Sequence, residues 1–252
     1  MAASPDSFLL VVYAPALSSD GSRTLAVIRG MERALPGLHL SWTISDEGRF
    51  IPAPQRDAWG TAKTTDGRFP LLCNGDEGHF VTISRRETPA SQNPGGQPQF
   101  EVHAKWPLDA AGIAAAGKVL EEVAEGARAL WGHATPKRAA GDIAEQTSPT
   151  LAGSPRPPRG LPALKLPEKI RSPEIPHRLG WLNYWSAATA QAIAFPDPAR
   201  DAELLSRAQS TATGGWVVKL TDAPLDLDNP AHLDALKRAY ERFPEIGGRS
   251  TP

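Results

Sequence analysis

The sequence predicts an α+β (mixed α/β) protein made of two sheet-and-helix sections joined by a long proline-rich extended segment. Three observations carry that reading. Runs of period-2 alternation are interleaved with apolar stripes at helical spacing. Gly 22 and Pro 25 together supply about a fifth of the 252 residues, against a usual share of roughly 12%. Nine of those prolines fall within residues 135–178. The implied organisation is an N-terminal α/β section over 1–134, the segment 135–178, and a C-terminal βαβα section over 179–252.

Phe8–Tyr13 is a short apolar run rich in β-formers, closed by Pro15, and reads as a buried strand. Arg23–Leu35 follows as a helix, with Leu25, Ile28 and Leu35 at helical spacing and Pro36-Gly37 as its stop. Leu38–Ile44 alternates strictly, which puts Leu38, Leu40, Trp42 and Ile44 on one sheet face. These three elements make a β-α-β opening, with parallel strands if the two are adjacent. Arg56–Lys63 has room for a helical turn or two, and Pro70–Cys73 and Phe80–Arg86 read as strands. Ser91–Pro98 is loop, and Gln99–Trp106 alternates with Phe100, Val102, Ala104 and Trp106 on one face.

The strongest helical pattern is Ala110–Trp131, where Ile113, Ala116, Leu120, Val123, Ala127 and Leu130 form a stripe. Asp109 caps its start, and Gly112, Gly117 and Gly126 weaken it by up to ~1 kcal/mol each, so close packing must compensate. In residues 135–178 the proline density argues for an extended, partly polyproline II surface segment. Leu179–Ser186 reads as a strand, Pro198–Gln209 as a helix capped by Asp197, and Trp216–Thr221 as a strand. Asn229-Pro230 opens a final helix to Phe243, with Leu233, Leu236, Tyr240 and Phe243 on its core face.

Lys+Arg 27 against Asp+Glu 28 leaves a net charge of −1, without the broad basic footprint of a nucleic-acid binder. Cys73 stands alone, which excludes an intrachain disulfide framework and a multi-cysteine zinc site. The apolar run at the N-terminus is shorter than a signal-peptide core and lacks a basic flank, and no stretch approaches a membrane span. A soluble cytoplasmic protein is the expectation, with no membrane or nucleic-acid partner.

The most enzyme-like cluster is Asn74–His79, where Asp76, Glu77 and His79 follow a strand and offer acid/base or metal-binding groups. The same residues are ordinary turn chemistry. Asp222, Asp226 and Asp228 lack the glycine and glutamate positions of an EF-hand and suit capping and turns instead. The six histidines include no i,i+4 pair, and neither a nucleophile elbow nor a phosphate-binding loop occurs. No cofactor or metal is therefore expected.

Several stretches carry a resemblance: Tyr13–Ala16, Met31–Gly37, Pro70–Glu77, Gly180–Ser186 and Leu220–Asn229. Over nearly the whole chain they resemble an uncharacterised protein family of myxobacteria. The last third, with its Trp-Leu-Asn strand, Gly-Gly-Trp strand and final Arg-Ala-Tyr-Glu-Arg helix, is similar to bacterial immunity proteins. Those are the type VI and immunity-protein-52-like families of polymorphic toxin systems. The resemblance implies a non-catalytic protein that binds and neutralises a cognate toxin acting in the cytoplasm. Contact loops are then expected at Ser45–Asp57, with Asp46, Glu47 and Arg49, and at Asn74–His79, with Asp76, Glu77 and His79. Ser91–Pro98 and the 135–178 segment join them. Two other readings stand beside this one: an enzyme using Asp76, Glu77 and His79, and an interaction module using the proline-rich segment.

Overall fold

The computed structural model describes residues 6–17, 22–53, 71–148 and 158–249. Within them the strands are β1 (Ser7–Pro15), β2 (Trp42–Ile44), β3 (Phe50–Pro52), β4 (Leu72–Cys73), β5 (Thr82–Thr88) and β6 (Gln99–Pro107), followed by β7 (Trp131–Pro136), β8 (Leu182–Trp185), β9 (Ala208–Ser210) and β10 (Trp216–Lys219). The helices are α1 (Ser22–Ala34), α2 (Ala110–Ala127), α3 (Lys137–Thr147), α4 (Ala187–Ala192), α5 (Ala202–Leu205) and α6 (Pro230–Arg242). All ten strands lie in one open sheet of order β3-β2-β4-β5-β6-β1-β7-β8-β10-β9, and every pairing is antiparallel. Among the described residues no helix is long and apolar enough to cross a membrane.

The first strand lies in the middle of this sheet. It pairs along its length with β6, from Ser7↔Pro107 to Pro15↔Gln99, and with β7 on its other side. Phe8, Leu10, Val12 and Ala14 are fully buried on the face that α1 and α2 cover. Same-face partners show the contact: Trp106 donates to the Gly112 carbonyl of α2, and the Arg23 guanidinium of α1 lies over Phe100. Arg23, itself buried, also donates to Ala127 O at the end of α2 and to Pro15 O and Ala16 O after β1. One cation thereby satisfies carbonyls of two elements that would otherwise lack partners.

The glycines of α2 serve different ends. A Cβ on Gly126 would come 2.8 Å from the Ala26 carbonyl carbon and 2.9 Å from Val27 N, so this glycine lets α1 approach. Gly30 answers it from α1, where a Cβ would meet Glu122 O at 2.6 Å. The compensating close contact is therefore between helices rather than with the sheet at these two positions. Gly117 faces open space. Asp109 caps α2 as expected, accepting from Gly112 N at 2.7 Å.

On the opposite face, α6 covers the C-terminal strands. Trp185 meets Phe243 edge-on at 5.2 Å, Phe195 packs against Trp185 and Trp216, and Leu179 N donates to the Tyr240 hydroxyl. Asn229 caps α6 through Ala231 N, as its Asn-Pro signature requires.

Several expectations need correction. The described parts of the 135–178 segment do not form an extended linker between two sections. Its first residues complete β7, and Lys137–Thr147 is a helix that buries Ala139, Asp142, Ile143 and Thr147. The prolines at 136 and 149 flank that helix without interrupting it. The described part from 158 onward is an irregular strap fastened to the body. Leu164 and Ile170 are buried in it, and Leu164 N, Lys165 N and Gly95 N bond to Thr147 O, Gly247 O and Ile170 O. The β7–β8 ladder, Trp131↔Trp185 to Ala134↔Leu182, joins the expected sections into one sheet.

The helix expected over Pro198–Gln209 shrinks to α5, and Ala208–Ser210 becomes edge strand β9. The buried Asp201 receives both Arg242 nitrogens and Asp197 N, which holds the chain in a turn against its helical propensity. Leu38 and Leu40 are buried but precede the short strand β2, while Ile44 is exposed. The β1 and β2 strands are separated by β6, β5 and β4, so no parallel pair forms. The Arg56–Lys63 expectation lies outside the described residues.

Alanine substitution should act with opposite sign at two positions of the same helix. Gly126→Ala is expected to destabilise by about 1–3 kcal/mol, because the neighbour it strikes is backbone. Gly117→Ala should stabilise by up to ~1 kcal/mol through helix propensity alone. Urea unfolding midpoints at constant slope give both signs.

Candidate functional site

The sequence-predicted contact residues lie on two separate turns. Asp46, Glu47 and Arg49 occupy the exposed β2–β3 turn, closed by Ser45 N donating to Arg49 O, with Arg49 3.9 Å from Glu47. Asp76, Glu77 and His79 occupy the exposed β4–β5 turn. There Asp76 Oδ1 accepts from Gly78 N and His79 N, and Asn74 ties the turn through Val81 N and His79 O. Trp42 pairs antiparallel with Cys73, so the two turns leave this strand pair at opposite ends. They do not come together. The acid/base reading needs Asp76, Glu77 and His79 to converge in a pocket, and the structure places them on an open turn, with His79 3.8 Å from Asp109. Cys73 is fully buried, and burial pushes its thiol up.

A different set of side chains does converge. The β5 and β6 strands present their helix-facing residues to the core and their alternate residues to the other side. On that side the register aligns Thr82 with Lys105, Ser84 with His103, Arg86 with Glu101, and Thr88 with Gln99. Val11 and Tyr13 of β1 and Trp131 and His133 of β7 continue the same face. Ser84, Arg86, His103 and Lys105 keep solvent access, whereas Glu101 and Gln99 are buried.

Glu101 organises the middle of this face. Arg86 Nε donates to its Oε2 at 2.7 Å and His103 Nε2 to the same oxygen at 3.0 Å. Burial works against the carboxylate, but hydrogen bonds from His103 and Arg86, with the Arg86 charge, hold it below its ordinary value. The Glu101 hydrogen bond in turn holds the Arg86 guanidinium above its ordinary value. Tyr13 stacks on Trp131 with ring centroids 3.9 Å apart. Burial, and then the Glu101 charge, push the Tyr13 phenol up to about 12.

Beside this group opens a recess of about 290 Å³. Its floor is Tyr13, Gln99, Glu101 and Trp131, and its walls are Asn93-Pro94, Pro167, His177 and Arg178. Loop and strap are clasped together to make those walls. Gly95 N donates to Ile170 O at 2.8 Å, and Gly95 takes φ 65°, where a Cβ would strike Pro173. Asn93 is buried with its amide donated to Thr88 O and Pro89 O. By contrast, three residues that line the recess each carry a buried donor with no hydrogen-bond partner among the described residues: Gln99 Nε2, Trp131 Nε1 and Arg178 Nε.

The wall residues fall in the Ser91–Pro98 and 135–178 stretches expected as contact segments, whereas Tyr13, Arg86, Gln99, Glu101, His103 and Trp131 were not singled out from the sequence. The available signal was the polar half of the β6 alternation, Gln99-x-Glu101-x-His103-x-Lys105, which reads as a solvated strand face. Its burial near Gln99 and Glu101 comes from the strap, which is remote in sequence.

His133 lies on the same face, buried, with Nδ1 unpartnered. Burial, and then the Arg178 charge, push its imidazole down to about 3 from 6.5. The unfolded chain therefore binds a proton between these values that the folded chain refuses. Stability should be complete above pH 6.5 and fall on acidification toward pH 3, by an amount on the order of a few kcal/mol. His133→Leu is expected to flatten that part of the profile in urea titrations run at successive pH values; an unchanged slope would assign it elsewhere.

No curated protein matches the chain. A solved structure of the Pseudomonas aeruginosa T6SS protein PA0821 is similar, with a TM-score of 0.54 at 14% identity. The match covers 94% of this chain and 73% of that one. At that identity the likeness is one of fold. The family model described as Domain of unknown function (DUF5953) matches residues 19–251, and the chain belongs to that family.

Proposed function

We propose that this protein is a non-catalytic binding protein of the immunity type, which docks a cognate toxin on the polar face of β5 and β6. The observation that carries the reading is the Arg86–Glu101–His103 group, tied together by a buried carboxylate on a polar sheet face where Ser84, Arg86, His103 and Lys105 keep solvent access. A preformed polar surface on regular strands suits recognition, because little ordering is required when a partner binds. The fold shared with a T6SS protein supports a place in type VI-linked toxin systems, and the resemblance of the last third to immunity proteins points the same way.

In this proposal Ser84, Arg86, His103 and Lys105 form the centre of the contact. The turns bearing Asp46, Glu47 and Arg49, and Asp76, Glu77 and His79, form its periphery. The partner is a protein toxin acting in the cytoplasm, and no cofactor takes part.

Co-expression with a candidate toxin encoded beside this protein tests the reading directly. Growth arrest should be relieved and the two proteins should co-purify; persistent arrest with no complex would sink it. Within a complex, Ser84→Trp or Lys105→Glu should weaken binding by about tenfold or more, as central contacts do. Alanine at Asp76, Glu77 and His79, or at Asp46, Glu47 and Arg49, should weaken it by only about two- to fivefold. Titration calorimetry separates the two classes.

A further inference from the structure

The recess beside Glu101 has the makings of a ligand site of its own. Gln99 and Trp131 are 2% and 1% exposed, and each has a side-chain N–H with no acceptor. Buried donors are ordinarily satisfied, and leaving one unmade is costly. Arg178 adds an Nε–H without a partner, and no ion pair engages its guanidinium among the described residues. Three residues with orphaned donors line this one opening, which makes it the place where an entering acceptor would be held.

Charge narrows the chemistry of that acceptor. Arg86 and Glu101 neutralise each other across 2.7 Å, so the lining keeps one uncompensated positive charge, that of Arg178. Burial, and then the Arg178 charge, push the imidazole of His177 down to about 4, so it adds none near neutral pH. A phosphate monoester brings close to two negative charges and would meet the Glu101 carboxylate in the floor. A carboxylate brings one, offers lone pairs to several N–H donors, and pairs well with a guanidinium. The remaining surfaces, the Tyr13–Trp131 stack, Pro94 and Pro167, suit the carbon stem of a short side chain.

From this we infer that the recess receives an aspartate or glutamate side chain of the docked partner, held by Arg178, Trp131 and Gln99. The inference rests on the docking reading for the source of the carboxylate, but its chemistry is testable on the protein alone.

The donors themselves are the reporters, since indole N–H, glutamine amide and arginine Nε–H groups all give proton–nitrogen correlation signals. Titration with N-acetyl-glutamate N-methylamide, whose one charge is the side-chain carboxylate, should shift the Trp131 and Gln99 signals saturably. Its glutamine counterpart should not, and sodium chloride at matched ionic strength should not. Arg178→Gln should weaken the response about tenfold or more, with Arg178→Lys retaining part of it. No saturable shift, or equal shifts with the glutamine compound or with salt, would overturn the inference. A response to inorganic phosphate in place of the carboxylate would overturn the ligand class. A response to propionate but not to the blocked glutamate would overturn the peptide source. Should Arg178→Gln fail to fold, the glutamate–glutamine comparison on the native chain and Arg178→Lys still decide. A partner that co-purifies while the probe leaves these signals unmoved refutes this inference and spares the docking reading; the reverse pattern refutes docking alone.

Discussion

The alternation of β1 is the constraint on which the rest of the molecule depends. Flanked by β6 and β7, this strand has its hydrogen-bonding edges filled on both sides, and its two faces serve opposite purposes. Phe8, Leu10, Val12 and Ala14 take the weight of α1 and α2, while Val11 and Tyr13 belong to the other side. Because the side-chain period of a strand is two, a slip of one residue would put the tyrosine under the helices and the core residues in the recess. The register also aligns Glu101 beside Tyr13, and Trp131 on its far side, so the candidate site inherits its geometry from the central pairing.

The second face of the sheet is divided in a way that separates stability from recognition. Over β8 and β10 it is apolar and sealed by α6, with Trp185, Phe195 and Phe243 meeting edge to face. Over β5 and β6 it is polar and only partly roofed, by a strap whose own anchors are Leu164 and Ile170. The Glu101 carboxylate tolerates burial because two donors meet it. The neighbouring donors at Gln99, Trp131 and Arg178 have no such relief among the described residues, and buried donors in native proteins are ordinarily satisfied.

Membership of the family and likeness to a T6SS protein establish a shared scaffold, and a scaffold does not fix an activity. The functional reading of this chain rests on the set of side chains on one sheet face and the turns around it. The two turns singled out from the sequence are exposed and closed by their own side chains, Ser45 Oγ accepting from Arg49 N and Asp76 Oδ1 from Gly78 N and His79 N, which suits them to the edge of a contact. Their opposite placement on the β2–β4 pair follows from the antiparallel register, which is invisible in the order of residues along the chain.

Local chemistry determined much by itself. Helix α2 with its Asp109 cap, helix α6 with Asn229-Pro230, the buried run of β1 and the alternation of β6 are all written in short-range patterns, because capping and periodicity involve residues a few positions apart. Tertiary structure decided the rest. Strand β7 has Gly132, Ala134 and Pro136 on one face and Trp131, His133 and Thr135 on the other, and a single large apolar residue is too little to announce a central strand; its identity comes from β1 and β8 on either side. Helix α3 was hidden by prolines that surround it without entering it. The helix expected after Pro198 lost to the buried pair of Asp201 with Arg242, an interaction 41 residues long in sequence. The recess, finally, unites Tyr13, Glu101, Trp131 and Arg178 from four distant stretches. Local pattern placed Tyr13 and Glu101 in strands but read Trp131 as the end of a helix and Arg178 as linker, and only folding brought the four together beneath the strap.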